Sequence, residues 1–407
     1  MRSMKAGRPV SVLAINQIDE VRGGSDRCFF NTNEILEYYG NNVTPFYTSS
    51  VNKQYPIEID FDSRAPSSVI KYFYNFDARR KLSKLIEVSY VDYDLAHLHI
   101  YYGKLTASIL EPLRRNSIPI VQTLHEYKLS CPVYTHINNG EVCNKCIGST
   151  SFNCVFNKCK DNSFVSSAVR YLEYNISRWL GDVDKIDKFI CVSNFQMKKM
   201  IQSGVPESKL TTIYNFVDAE SISSDVYEGD YLLFFGRLEK IKGVHTLIST
   251  MTRHPDKKLL IVGQGPYEDE LHSIVKEHGL INVDFLGFKQ GEELWELVRK
   301  SKAIMVPSEW YENCSMTVLE GKAYSKPIVA SSIGGITEQI KDGENGFLHE
   351  PGDVESISNA IERLYSSSYN DVAKNSRLDL DERYSKEVYY NQLSSLYQEV
   401  INARSTR

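Results

Sequence analysis

Pro307-Ser308-Glu309-Trp310-Tyr311-Glu312-Asn313-Cys314-Ser315-Met316-Thr317-Val318-Leu319-Glu320 is the stretch on which the reading of this chain turns. The apolar run 303–306 before it reads as a short buried strand, 308–313 as a loop, and 316–324 as a helix. Asn313 or Ser315 supplies the cap at the helix entry. A helix N-terminus offers unpaired backbone N–H groups and the positive end of a dipole, which suit a phosphate or the oxygens of a sugar. Glu312 and Glu320, either side of that entry, are acceptors for vicinal hydroxyls. Sugar and phosphate chemistry together point to a nucleotide-sugar.

The spacing of two glutamates eight apart is weak by itself, and its surroundings strengthen it. Lys326-Pro327-Ile328-Val329-Ala330 reads as the next strand, followed by Ser332-Ile333-Gly334-Gly335-Ile336-Thr337-Glu338, whose paired glycines allow a close backbone approach or a sharp turn. Lys341-Asp342-Gly343-Glu344-Asn345-Gly346, then Phe347-Leu348 and Pro351-Gly352-Asp353, read as turn, strand and turn. With these elements in order the chain resembles the retaining glycosyltransferases of family 4. The resemblance is strongest over 231–353 and implies an α/β protein of the GT-B type, two Rossmann-like domains facing each other across a cleft. It implies an acceptor-binding domain over 1–218, a nucleotide-sugar-binding domain over 219–384, and a final helix in 385–407 that packs back on the first domain.

Upstream, Tyr231-Leu232-Leu233-Phe234-Phe235 leads into Gly236-Arg237-Leu238-Glu239-Lys240-Ile241-Lys242-Gly243. Such a strand-to-helix loop places Arg237 and Lys242 at the carboxyl edge of a parallel sheet, where ligands of open α/β folds bind. Taken alone, the two cations read as solvated loop charges. The family resemblance assigns them to the donor diphosphate. It also gives Glu320 the ribose, and gives Glu312 with the backbone from Asn313 to Met316 the donor sugar. The implied catalytic set is Arg237, Lys242, Glu312 and His125. The implied donor-binding set is Gly23, Gly24, Asn313, Cys314, Ser315, Met316, Thr317, Val318 and Glu320, with a base loop around Phe288 and Lys289.

The amino-terminal half repeats the strand-loop-helix order. Apolar runs at 10–16, 42–47, 95–100, 118–123 and 189–193 read as strands, and 29–39 as an amphipathic helix, so a parallel sheet is expected. Gly23-Gly24-Ser25 is a turn or a ligand loop on its residues, and the family resemblance favours a loop facing the cleft. His125, at the end of a strand, is more often a structural residue; the resemblance brings it to the donor sugar, with Glu126 where the family carries Asp. His97 and His99 alternate on one strand and are left outside the site. Asn215, in Tyr214-Asn215-Phe216-Val217-Asp218, resembles the family's interdomain segment, with Phe216 where Gly is usual.

The chain has 407 residues, 42% of them hydrophobic, which suits two or three domains with real cores. A formal net charge of -5 argues against a general nucleic-acid binder. No apolar segment approaches the ~20 residues of a membrane-spanning helix, and the run 10–15 is too short for a signal-peptide core. The expected location is the cytoplasm, with peripheral contact on the inner face of the plasma membrane. The stretch 69–87, where Lys71, Arg79, Arg80, Lys81 and Lys84 mix with aromatic residues along one helix, reads first as an ordinary surface helix with its aromatic side in the core; contact with an anionic membrane or a lipid-diphosphate acceptor is the alternative.

Five of the eight cysteines, Cys131, Cys143, Cys146, Cys154 and Cys159, crowd into an insert over 131–161. In a reducing compartment such a cluster favours a structural zinc over disulfides, with free thiols between the two. Cys143, Cys146, Cys154 and Cys159 are the candidate ligands, and Cys131 is the alternate. No cofactor is expected for the chemistry itself. The resemblance implies transfer of a sugar, with retention, from a nucleotide-sugar to a glycan or polyprenyl-diphosphate-linked acceptor in cell-surface polysaccharide synthesis, with no nucleic-acid partner. An epimerase of the same fold and a non-catalytic sugar-nucleotide-binding scaffold are the rivals. A nicotinamide-dependent dehydrogenase is disfavoured, since no Gly-x-Gly-x-x-Gly follows the first strand.

Overall fold

A computed structural model describes residues 8–21, 23–48 and 67–405. The first sheet is built from β1 (Ser11–Ile18), β2 (Asn42–Thr48), β3 (Leu95–Leu98), β4 (Ile120–Leu124), β7 (Lys188–Cys191) and β8 (Leu210–Thr212). Its order is β2-β1-β3-β4-β7-β8, and every pairing is parallel. Between β4 and β7 lies a small antiparallel hairpin, β5 (Ile137–Asn138) with β6 (Glu141–Val142). The second sheet comprises β9 (Tyr231–Phe235), β10 (Lys258–Val262), β11 (Val283–Phe285), β12 (Ser301–Val306), β13 (Ile328–Ser331) and β14 (Gly346–His349). It runs β11-β10-β9-β12-β13-β14, again all parallel.

Strands buried on both faces need apolar residues at successive positions, and β9 shows why. Leu232 and Phe234 enter one core while Leu233 and Phe235 enter the core on the opposite face. In β1, Leu13 and Ile15 face one side and Val12 the other. The helix Lys386–Ser405 completes that second side: Tyr389, Leu393, Leu396, Tyr397 and Val400 pack against Val12, Ile35 and Leu95 of the first domain. Each such aliphatic side chain, once buried, contributes about 1.5–3 kcal/mol.

The chain crosses between the two sheets twice, once before β9 and once before the final helix. The crossings are joined, since the Val217 N–H donates to the Tyr384 carbonyl at 3.1 Å and Lys386 Nζ reaches Asp218 at 3.0 Å. Arg377, in the helix Tyr369–Arg383, donates to the Ala219 carbonyl at 3.1 Å.

Three local expectations change. The first helix starts at Gly24, not at 29, and Gly23-Gly24 is its entry. β3 ends at Leu98, so His99 lies beyond the strand. The basic-aromatic stretch forms two helices, Ser67–Phe73 and Phe76–Val88. Asn75 causes the break: its side chain accepts from the Asp77 and Ala78 N–H groups, both at 3.0 Å, and so starts a new helix.

Candidate functional site

The helix Met316–Ala323 begins just past the carboxyl end of β12, and Ser315, not Asn313, caps it through the Val318 N–H. Asn313 is used elsewhere. Its Nδ2 donates to the His125 carbonyl at 2.7 Å, joining the loop before this helix to the end of β4 in the other domain. Gln339 fixes the loop from behind, accepting from the Ser315 N–H at 2.9 Å and donating to Cys314 Sγ at 3.5 Å. Cys314 and Val318 are thereby buried core residues, while Met316 and Thr317 are partly exposed.

Glu312 accepts three hydrogen bonds. Its Oε1 accepts from Lys242 Nζ at 2.7 Å, Ser308 Oγ at 2.8 Å and Trp310 Nε1 at 2.9 Å. Burial raises its carboxyl, but the Lys242 charge and these three donors outweigh burial and hold it below the usual carboxylate range. The Lys242 ammonium also lies 5.1 Å from the Trp310 ring centre. Arg237 is different: its side chain is 70% exposed and pairs with Glu239 at 2.9 Å. Lys242 is therefore already seated in the site, whereas Arg237 stands at its mouth.

Glu320, on the same helix, is 9% exposed and bonded to Arg27 Nη1 at 2.5 Å. Burial pushes its carboxyl up to about 7, against the lowering influence of Arg27. Arg27, from the first turn of the helix Gly24–Tyr38, was not singled out from the sequence. Its only advance signal is its position just after Gly23-Gly24. That helix entry faces the start of the helix Met316–Ala323, as a Cβ on Gly24 would lie 3.7 Å from Met316 Cγ. Beside Glu320 a cavity of about 840 Å³ is lined by Arg27, Asp218, Trp295, Met316 and Tyr324.

His125 lies at the end of β4 and shares a 2.8 Å hydrogen bond between its Nε2 and His99 Nδ1. Burial lowers its pKa to about 4, so the imidazole is neutral near pH 7. His97 and His99 are both buried, His97 between Thr123 at 2.8 Å and Tyr397 at 2.6 Å. Neighbouring Glu126 is raised to about 7 by burial.

The cysteine insert has no core of its own. Cys131 and Cys154 are buried in the core of the first domain, with Cys146 and Cys159 packed against it. All eight cysteines are free thiols. Cys154 and Cys159 share a hydrogen bond that pushes the first thiol up and draws the second down. Among the described residues the insert thiols do not bring three sulfurs within 4.8 Å of one another. Asn144, between Cys143 and Cys146, accepts from Lys199 Nζ at 3.1 Å and donates to Tyr311 Oη at 3.0 Å. The insert thus touches the residue next to Glu312. Glu338 adds a further tie between the domains, accepting from the Asn194 N–H at 2.9 Å and from Tyr214 Oη at 2.8 Å.

Comparison with known proteins agrees with this arrangement. The family model for Glycosyltransferase Family 4 matches residues 23–221, and that for Glycosyl transferases group 1 matches 221–384. An uncharacterised glycosyltransferase of Methanocaldococcus jannaschii is 28% identical over 327 residues, covering 75% of each chain. A second from the same organism is 32% identical over 183 residues, and the match spans 44% of this chain and half the length of that relative. Among solved structures, Anabaena HepE in complex with UDP superimposes with a TM-score of 0.66 at 18% identity, covering 96% of this chain and all of the other. With two parallel-sheet domains, a carboxylate-bearing helix entry at their cleft, and family models that follow one another from 23 to 384, the chain belongs to the family 4 glycosyltransferases and has the GT-B fold.

Proposed function

We propose that this protein transfers a sugar from a nucleotide-sugar donor to a glycan or polyprenyl-diphosphate-linked acceptor, with retention of anomeric configuration, in cell-surface polysaccharide synthesis. The observation that carries the reading is Lys242 held against Glu312 at the entry of the helix that bears Glu320. Ligands named for similar structures, UDP in HepE among them, support a nucleotide donor. The donor diphosphate would lie against Lys242, Arg237 and the N–H groups at the helix entry, which stabilise the charge that grows on the leaving group. Glu320 would accept from the ribose hydroxyls. Glu312 would accept from the sugar, and His125 would meet that sugar from across the cleft as a neutral hydrogen-bonding group. The departing diphosphate takes the acceptor hydroxyl's proton, so neither a protein nucleophile nor a catalytic metal is called for. A panel of UDP-, GDP- and ADP-sugars beside NAD(H) tests the reading by thermal shift, since a ligand at 100 times its Kd adds about 2.7 kcal/mol. A selective rise with one nucleotide-sugar supports it; a rise with NAD(H) alone overturns it.

The Arg27–Glu320 pair makes donor binding depend on pH. A carboxylate accepts from hydroxyls better than a carboxylic acid, so donor affinity is expected to rise as pH rises through about 7. Arg27→Ala removes a lowering influence and should move that midpoint upward. The linked stability term has the opposite sense. The folded-state pKa lies above the unfolded one, so this contribution is present at low pH and is lost as pH rises from 4.5 to about 7. Nucleotide titrations at several pH values check the first effect, and an unmoved midpoint in Arg27→Ala would count against it.

Two accessory readings accompany this one. A structural zinc on four of Cys131, Cys143, Cys146, Cys154 and Cys159 would have to draw the insert thiols closer together, since no three of them lie within 4.8 Å of one another among the described residues, and would complete a segment that lacks a core of its own. Metal analysis of protein purified without chelator is expected to find zinc on the insert, and Cys146→Ser is expected to hold about one equivalent less than wild type. Well-folded wild-type protein without zinc would rule it out. Contact with an anionic membrane is supported by exposed Ile70 and Phe76 beside Arg80, whose side chain is 78% exposed. Lys71 and Arg79 are paired with Asp77 and Glu111, each at 2.9 Å, so reversal of Arg80, Lys81 and Lys84 is the informative change. It should abolish flotation with anionic vesicles; unchanged flotation removes the membrane role from these helices.

A further inference from the structure

Cys28, His99 and His125 come from three separate elements: the helix Gly24–Tyr38, the turn after β3 and the end of β4. One ligand atom from each lies within 4.8 Å of the other two. Cys28 and His99 are buried, and His125 borders the cleft. His99 Nε2 is buried without a hydrogen-bond partner among the described residues, which is costly for a polar atom unless something else occupies it. Among the described residues Cys28 Sγ has a 3.5 Å contact with Asn215 Oδ1 and a 3.9 Å contact with Thr32 Oγ1.

We propose that Cys28, His99 and His125 form a binding site for a borderline divalent cation, of which Zn²⁺ is the type, and that the bound ion withdraws His125 from the cleft. One thiolate and two imidazoles match zinc's preference for sulfur and nitrogen, and three protein ligands leave a fourth position open toward the cleft. The three ligand atoms lie within 4.8 Å of one another, and His99 Nδ1 and His125 Nε2 are 2.8 Å apart, so side-chain rotation is enough to bring the set to the bond lengths of zinc. Proton balance is simple: the thiol releases one proton to solvent as the Zn–S bond forms, and the imidazoles bind in their neutral forms. Burial already keeps both rings neutral near pH 7. The same burial holds the Cys28 thiol protonated until a metal displaces its proton. The consequence for His125 rests on the proposed donor role of that residue; the metal site itself does not.

The test titrates Co²⁺, whose thiolate bond absorbs light, and then Zn²⁺ in competition, into wild-type protein and Cys28→Ser. Cys28→Ala serves in place of Cys28→Ser if the latter does not fold. The expected result is one fewer equivalent bound and loss of a thiolate-to-cobalt band in the Cys28 variant, while Cys146→Ser keeps that band. Zinc inhibition of sugar transfer should weaken at least tenfold in the Cys28 variant, with transfer in metal-free buffer retained. Equal cobalt spectra and stoichiometry in the two proteins would overturn the site. Because the spectral arm needs no donor, failure of the glycosyltransferase reading leaves it intact and separately decided.

Discussion

Lys242→Ala is expected to lower kcat by about 10²- to 10³-fold, the range seen when one preorganised donor to a developing anion is removed. The ammonium has two tasks in this site. In the proposed reaction it neutralises the leaving diphosphate, and it holds Glu312 ionised in a buried position. Its removal leaves Ser308 and Trp310 as neutral donors to a carboxylate that burial now raises toward protonation. A stability loss of about 1–3 kcal/mol should accompany the kinetic one, below the cost of breaking a fully buried pair because the Lys242 side chain is a quarter exposed. The double variant Lys242→Ala/Glu312→Gln separates the two tasks. It should recover most of the lost stability and none of the turnover. If Lys242→Ala transfers sugar at a near-wild-type rate, the diphosphate does not lie against this residue.

Gly335→Ala is expected to abolish donor binding at concentrations that saturate the wild type and to lower stability by about 1–3 kcal/mol, the range for overpacking a filled site. The reason is proximity alone. Gly335 has φ −71° and ψ −11°, which alanine adopts readily. Yet an added Cβ would lie 1.8 Å from the Asn313 carbonyl oxygen and 3.1 Å from Ser193 Cβ. The same glycine's N–H donates to the Glu312 carbonyl at 2.7 Å, so the donor loop cannot retreat without giving up that bond. Gly23→Ala is the control for the stability loss, because its Cβ would meet nothing within 4 Å. Thermal unfolding of the two variants checks that contrast, and nucleotide titration of Gly335→Ala against wild type checks the binding loss. Wild-type donor affinity in Gly335→Ala would show that the loop's position is not what the donor reads.

Much of the fold was legible because strands of a parallel sheet are buried on both faces. Tyr231-Leu232-Leu233-Phe234-Phe235 announces itself as an unbroken apolar run, with glycines after it where the chain turns. The loop and helix that carry Glu312 and Glu320 were legible for a related reason: a cap, a helix and two carboxylates follow one another within a few residues. Residues that meet only in three dimensions were not. Nothing local in Arg27 foretells Glu320, 293 positions away, and nothing in Cys-Asn-Lys-Cys foretells that its Asn144 touches Tyr311. His99 was set aside as one of two alternating strand residues. Two of the local shifts have simple causes: β3 stops one residue before His99, and the side chain of Asn75 offers a helix start in the middle of what periodicity reads as one helix.

The paired crossings of the chain give the molecule a hinge with two straps. A single linker would let one domain swivel freely, whereas two strands joined between Val217 and Tyr384 and between Asp218 and Lys386 resist twisting while still permitting a clamshell swing. A chain cut after Tyr384 would therefore lose more than a terminal helix. It would lose the second strap along with the apolar cover of β1 and β3, and the two halves of the cleft would no longer return to the same alignment after each product leaves.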